Sequence, residues 1–171
     1  MSRRWVELNG GRQASYEAIG SGPPLLMFPG GPGGNAAYVR PQAELLADRF
    51  TAYLIDPHGS GGSTRPADPA EYGFEGHARV YDEGRRALGI ERASVYGFSF
   101  GGGVALVYAA LHPRATELCF CVSFGGSREG ASVTEERERA LARHASAPWY
   151  QEARAALDGA IPEDVDALLR T

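Results

Sequence analysis

Four short apolar runs, at residues 25–28, 51–55, 93–96 and 118–124, alternate with stretches long enough to form helices. The first run, Leu25-Leu26-Met27-Phe28, is apolar at every position, as a strand covered on both faces requires. Between the runs the period is helical. Over 76–88, Val80, Tyr81, Gly84, Ala87 and Leu88 share one face. Residues 100–111 read as an apolar helix that stops at His112-Pro113, because a proline disfavours the helical conformation of the residue before it. A further helix is expected over 39–48. Strand–helix–strand alternation predicts βαβ units and an α/β fold with a doubly wound, mostly parallel sheet. Val6 and Leu8 lead into Asn9-Gly10, a hairpin signal, and 13–18 reads as the returning strand. This hairpin is expected to form an antiparallel edge.

The pattern changes near residue 130, after which no strand signal follows. Ser132-Val133-Thr134-Glu135 is a capping box that opens a charged helix towards His144. Pro148-Trp149-Tyr150 begins a second helix. Ile161-Pro162-Glu163-Asp164 begins a third, with proline at the first helical position and acids in the first turn. The expected organisation is a core at 1–130 and the start of a helical cap at 131–171.

Composition removes several chemistries. All 17 basic residues are arginine, so neither a Schiff-base lysine nor a P-loop lysine is present. No G-x-G-x-x-G follows the first parallel strand, which argues against a dinucleotide site. With a net charge of -4 and no basic run, no nucleic-acid partner is expected. No apolar stretch reaches the ~18–20 residues of a membrane helix. The opening Met1-Ser2-Arg3-Arg4-Trp5 carries charge but no apolar segment behind it, so a cytoplasmic location is expected. Cys119 and Cys121 lie two apart in an apolar run, on one face of a strand. They are expected to be buried, inert thiols, with no metal and no cofactor.

The segment Gly97-Phe98-Ser99-Phe100-Gly101 follows an apolar run and opens a helix. A serine on a sharp strand-to-helix turn takes strained backbone angles, and its neighbours two residues away must lack bulk. Gly97 and Gly101 meet that demand, so Ser99 reads as a nucleophile. The alternative is a serine that only caps the helix. Acyl transfer builds a negative oxygen that backbone N–H groups must stabilise. The N–H of Phe100 is one expected donor. The glycine-rich loop Pro29-Gly30-Gly31-Pro32-Gly33-Gly34 supplies the other, assigned to Gly31; the alternative is a turn without a role. Asp56-Pro57-His58-Gly59-Ser60-Gly61-Gly62-Ser63 sits at a strand's carboxyl end, where ligands bind in open α/β sheets. It reads as a structural turn in which Asp56 bonds to loop amides and His58 packs beside it; a catalytic Asp56–His58 pair is the alternative.

These three motifs, in this order and spacing, resemble the α/β-hydrolase superfamily over about residues 3–126. The 29–34 loop resembles the HGGPG segment of its proline iminopeptidase branch, with Pro29 where that branch has histidine. The 56–63 segment resembles its D-x-R-G-x-G-x-S segment, with His58 in place of arginine. Phe98 and Phe100 also differ from the serine neighbourhood usual in proline iminopeptidases. The resemblance implies a serine hydrolase acting on an ester, amide or related bond of a small molecule, without a cofactor. It also implies an acid and a histidine after the serine, carried by two further strands. His112, His144 and Glu129 are weak candidates for these roles, so the chain is expected to stop before its catalytic acid and base. The last strand would then expose an edge through which a second copy can pair. The competing reading is a non-catalytic protein of the same fold that binds a small ligand.

Overall fold

The computed structural model describes residues 3–124, 142–143, 145–148 and 150–157. The chain divides into two compact units, Met1–Gly126 and Ser127–Thr171. The first is a six-stranded sheet in the order β1-β2-β4-β3-β5-β6. Its strands are β1 (Arg4–Glu7), β2 (Gln13–Gly20), β3 (Pro24–Phe28), β4 (Thr51–Ile55), β5 (Ala93–Phe98) and β6 (Thr116–Val122). β1 and β2 form the expected antiparallel hairpin, and β2 joins β4 antiparallel. From β4 onward, across β3, β5 and β6, every pairing is parallel.

The all-apolar β3 is explained by its place in the middle of the parallel part. Side chains alternate between the two faces of a strand. Leu25 and Met27 therefore join one core with Leu54, Val39 and Ala43. Leu26 and Phe28 join the other with Ile55, Val95, Tyr81 and Tyr108. The first core is covered by α1 (Arg40–Leu45), the second by α2 (Phe74–Ala87) and α3 (Phe100–Leu111). The sheet is thus wound on both faces. Within the second unit, Tyr150–Leu157 forms a helix, α4. The segments 132–135 and 161–164 lie outside the described residues.

Two expectations are corrected. The helix expected over 39–48 is shorter and starts as a 3-10 turn, Ala36–Val39, before α1. Asn35 begins it, its side chain accepting the Ala37 N–H at 3.1 Å. Cys119 and Cys121 are free thiols but exposed, not buried. Their apolar run reads like a covered strand, yet β6 pairs only with β5 among the described residues. Among these residues, no helix is long and apolar enough to cross a membrane.

A buried ion pair ties α2 to the start of β5. Arg85 donates to Asp82 Oδ1 at 2.7 Å, with both side chains under a tenth exposed. The same guanidinium donates to the backbone carbonyls of Ile90 and Glu91 in the turn before β5. Arg86 also reaches Asp82, at 2.7 Å, but its side chain is mostly in water. Removing one partner of a buried pair strands the other charge, whereas an exposed partner contributes little. Arg85→Met is expected to cost about 3 kcal/mol. Arg86→Met is expected to cost less than about 1 kcal/mol. Urea unfolding of the two variants measures the difference.

Candidate active site

Ser99 alone separates the end of β5 from the start of α3 and holds φ 52° and ψ -120°. Positive φ in a non-glycine residue is costly, and among the described residues only Ser99 and Ser123 show it. The neighbours hold it there. The Ser99 N–H donates to the Val122 carbonyl at 2.8 Å, and the Gly102 N–H donates to the Ser99 carbonyl at 2.8 Å. A side-chain carbon on Gly97 would lie 2.0 Å from the Gly101 carbonyl oxygen; one on Gly101 would lie 2.3 Å from that of Phe28. Neither position admits alanine without moving backbone. The Ser99 hydroxyl makes no capping bond to α3, so the helix-cap alternative is not realised.

The 29–34 loop abuts this bend. Pro29 and Gly30 are buried, and a side-chain carbon on Gly30 would sit 3.2 Å from the Phe98 ring. Gly31 is exposed, at φ 115°. Neither the Gly31 N–H nor the Phe100 N–H donates to another group among the described residues. Phe100 follows Ser99 and opens the positively polarised end of α3, while Gly31 follows Gly30, the loop residue that lies against Phe98.

Asp56 ties together the segments that flank the loop. Its carboxylate accepts the Ala36 N–H at 2.9 Å, the Ser15 hydroxyl at 2.5 Å and the Gly62 N–H at 3.2 Å. It thereby links β2, the segment after β3 and the turn after β4. The expected structural role of this segment is seen, and the alternative Asp56–His58 pair is not formed. His58 packs instead against Tyr72 and His77, with ring centroids 5.3 and 4.4 Å away.

His77 is the residue that sequence reasoning missed. It lies on the same helical stripe as Val80, Tyr81 and Gly84, which was the available signal. Its ring stands edge-on to Phe100 at 5.5 Å, and Phe100 stacks at 4.9 Å on Phe74. His77, Phe100, Gly30, Gly34, Pro57 and Tyr81 line a cavity of about 10 Å³, near the lower limit for one water. Burial pushes the His77 pKa down to about 4, helped by neighbouring His58. Burial also lowers His58, against the pull of Glu71.

The other candidates fall elsewhere. His112 ends α3 with its Nδ1 3.8 Å from Asp82, at the opposite end of that 12-residue helix from Ser99, roughly 18 Å away. Glu129 and His144 lie outside the described residues. Among the described residues, no three His, Cys, Asp or Glu side chains gather as a metal site.

Residues 23–156 match the alpha/beta hydrolase fold family, and the chain belongs to it. An uncharacterized protein of Mycobacterium tuberculosis is 32% identical over 147 residues, covering 86% of this chain and 40% of that protein. A proline iminopeptidase of Saccharolobus solfataricus is 32% identical over 95 residues, covering 55% of this chain and 31% of that protein. An epoxide hydrolase from an endophytic Streptomyces superposes with a TM-score of 0.61 at 31% identity, covering 67% of this chain and 34% of that one. The chain thus spans about two-fifths or less of the curated relatives named here. Those with named activities are hydrolases of differing chemistry, so the proline iminopeptidase branch is not singled out.

The two buried imidazoles make stability depend on pH. The folded-state pKa of His77, about 4, lies below the unfolded value of 6.5, so the unfolded chain binds a proton that the folded chain refuses. This contribution is complete above pH 6.5 and is lost as pH falls from 6.5 towards 4. At most it amounts to about 3 kcal/mol. Urea midpoints at pH 7.5 and pH 4.5 are expected to differ less in His77→Phe than in the parent.

Proposed function

We propose that Ser99 is the nucleophile of a serine hydrolase acting on an ester, amide or related bond of a small molecule. The observation that carries this reading is the strained, packing-enforced backbone of Ser99 at the strand-to-helix bend, with its hydroxyl not spent on the helix. Attack by the hydroxyl on a carbonyl carbon would place negative charge on the carbonyl oxygen. The N–H groups of Phe100 and Gly31, which have no acceptor among the described residues, are proposed to receive it. No base is assigned among the described residues. Residues 1–130 are read as the hydrolase core and 131–171 as the first part of a cap. Phe98 with Tyr38, 5.8 Å apart, and Phe100 with Phe74 flank the serine, favouring an apolar group beside the scissile bond. An aminopeptidase-like activity remains one form of this proposal, resting on the 29–34 loop.

One observation favours a second reading, binding without turnover. Among the described residues, no histidine hydrogen-bonds the Ser99 hydroxyl, and an unassisted hydroxyl is a weak nucleophile. A fluorophosphonate probe with peptide mapping separates the two. The hydrolase reading expects an adduct on Ser99 that disappears in Ser99→Ala. It also expects that substitution to lower turnover by at least about 10³-fold. A folded protein that forms no adduct, yet binds an apolar ester equally well with or without the Ser99 hydroxyl, refutes it.

A further inference from the structure

The 29–34 loop meets the 56–64 turn, and the two segments are built in opposite ways. The turn is bonded throughout. The Gly59 N–H donates to the Thr64 carbonyl, the Ser60 N–H to that of Pro57 and the Ser63 N–H to that of Ser60, each at 3.0 Å. The Ser63 hydroxyl donates to the Asp56 carbonyl at 2.8 Å and accepts the Ser15 N–H at 3.1 Å. The Thr64 N–H donates to the Gln13 carbonyl at 2.9 Å, which ties the turn to β2. A side-chain carbon on Gly61 would lie 2.1 Å from Asp56 Oδ2, so the turn is wrapped on that buried carboxylate. The His58 ring, packed on His77, joins the turn to α2.

The loop has no such frame. Among the described residues, no backbone group of residues 30–34 hydrogen-bonds to another backbone group. Gly31 and Gly33 hold φ 115° and 88°, a region that glycine enters and leaves at little cost. One hydrogen bond crosses from the turn to the loop: the Ser60 hydroxyl donates to the Gly33 carbonyl at 2.9 Å. Among the described residues it is the one hydrogen bond that reaches residues 30–34. Gly31 is coupled to this point. A side-chain carbon on Gly31 would lie 3.2 and 2.7 Å from the amide nitrogens of Gly33 and Gly34, so the loop is curled on itself there. In the D-x-R-G-x-G-x-S pattern, Ser60 occupies a position that the pattern leaves open.

We propose that Ser60 is a positioning residue: its hydroxyl, carried on the rigid turn, fixes the tip of the 29–34 loop and thereby the direction of the Gly31 N–H. This role rests on the reading of Ser99 as nucleophile and Gly31 as oxyanion donor. A donor held in place beforehand needs no rearrangement as charge develops on the substrate oxygen. A glycine loop without its anchor has to be ordered at that moment, and the barrier rises by the cost of ordering it. The loss is therefore felt in the chemical step and not in the binding that precedes it.

Saturation kinetics of fluorophosphonate labelling on the full chain separate these steps, because the phosphoryl oxygen takes the place of the substrate oxygen. Ser60→Ala is expected to lower the maximal rate of adduct formation on Ser99 by about fivefold or more, with the half-saturating concentration unchanged. Ser60→Thr, which keeps the hydroxyl, is expected to restore the rate. Thr51→Val removes a similar bond, from the Thr51 hydroxyl to the Gly22 carbonyl at 2.9 Å, and is expected to leave both quantities as they are. Independently of labelling, hydrogen exchange of a peptide spanning residues 29–37 is expected to be faster in Ser60→Ala, with the urea midpoint unchanged. A parent and a Ser60→Ala chain labelled equally fast overturn the role of Ser60 and leave the nucleophile standing. So does a Ser60→Thr chain as slow as Ser60→Ala, or a loop that exchanges no faster. A folded parent that forms no adduct removes the nucleophile and this role with it.

Discussion

At the first turn of α3 the backbone passes so close that Gly101 lies against the carbonyl oxygens of Phe28 and Pro29. Gly97 lies against Gly101 in turn. Three chain segments, the end of β3, the end of β5 and the start of α3, meet there without room for a single side-chain carbon. The serine between the two glycines has no unstrained conformation that satisfies all three contacts. Its positive φ follows from that crowding, and the cost is spread over two buried cores that meet at β3. The rigidity of β3, apolar on both faces, fixes the position of the 29–34 loop relative to the hydroxyl.

The two ends of α3 show how the same helix serves opposite electrostatics. Its first turn presents the N–H of Phe100, without an acceptor among the described residues, beside Ser99, where negative charge is favoured. Its last turn brings His112 near Asp82, where a cation is favoured, although burial lowers the imidazole against the pull of that carboxylate. A histidine and an aspartate so placed resemble two members of a triad in composition only. Asp82 already holds Arg85, Arg86 and the Tyr108 hydroxyl, and the helix length separates it from the serine. Its role is to anchor α2, α3 and the turn before β5 to one another.

Much of this was legible in the sequence because it depends on local rules. An all-apolar run such as 25–28 has few places in a fold except the middle of a covered parallel sheet. Glycines two residues either side of a serine, between a strand and a helix, leave few geometries other than the bend at Ser99. The bonds of Asp56 to loop amides follow from a carboxylate at a strand end beside a glycine-rich turn. What was not legible depends on neighbours distant in the chain. Cys119 and Cys121 sit in a run whose composition suits a covered strand, yet β6 is the last strand of the sheet among the described residues and both thiols are exposed. His77 is one imidazole on an apolar stripe until the fold sets it between His58 and Phe100. The 3-10 turn that precedes α1 is opened by a single bond, from the Ala37 N–H to the Asn35 side chain.

The edge strand and the serine bend are not independent features. The Ser99 N–H is held by the carbonyl of Val122, the last residue of β6. On the helix side the bend is held by close packing; on the outer side, among the described residues, its backbone support is this strand. An edge strand that frays would release the Ser99 amide, and with it one of the restraints that keep φ positive. How firmly β6 is held therefore bears on how firmly the hydroxyl of residue 99 is presented.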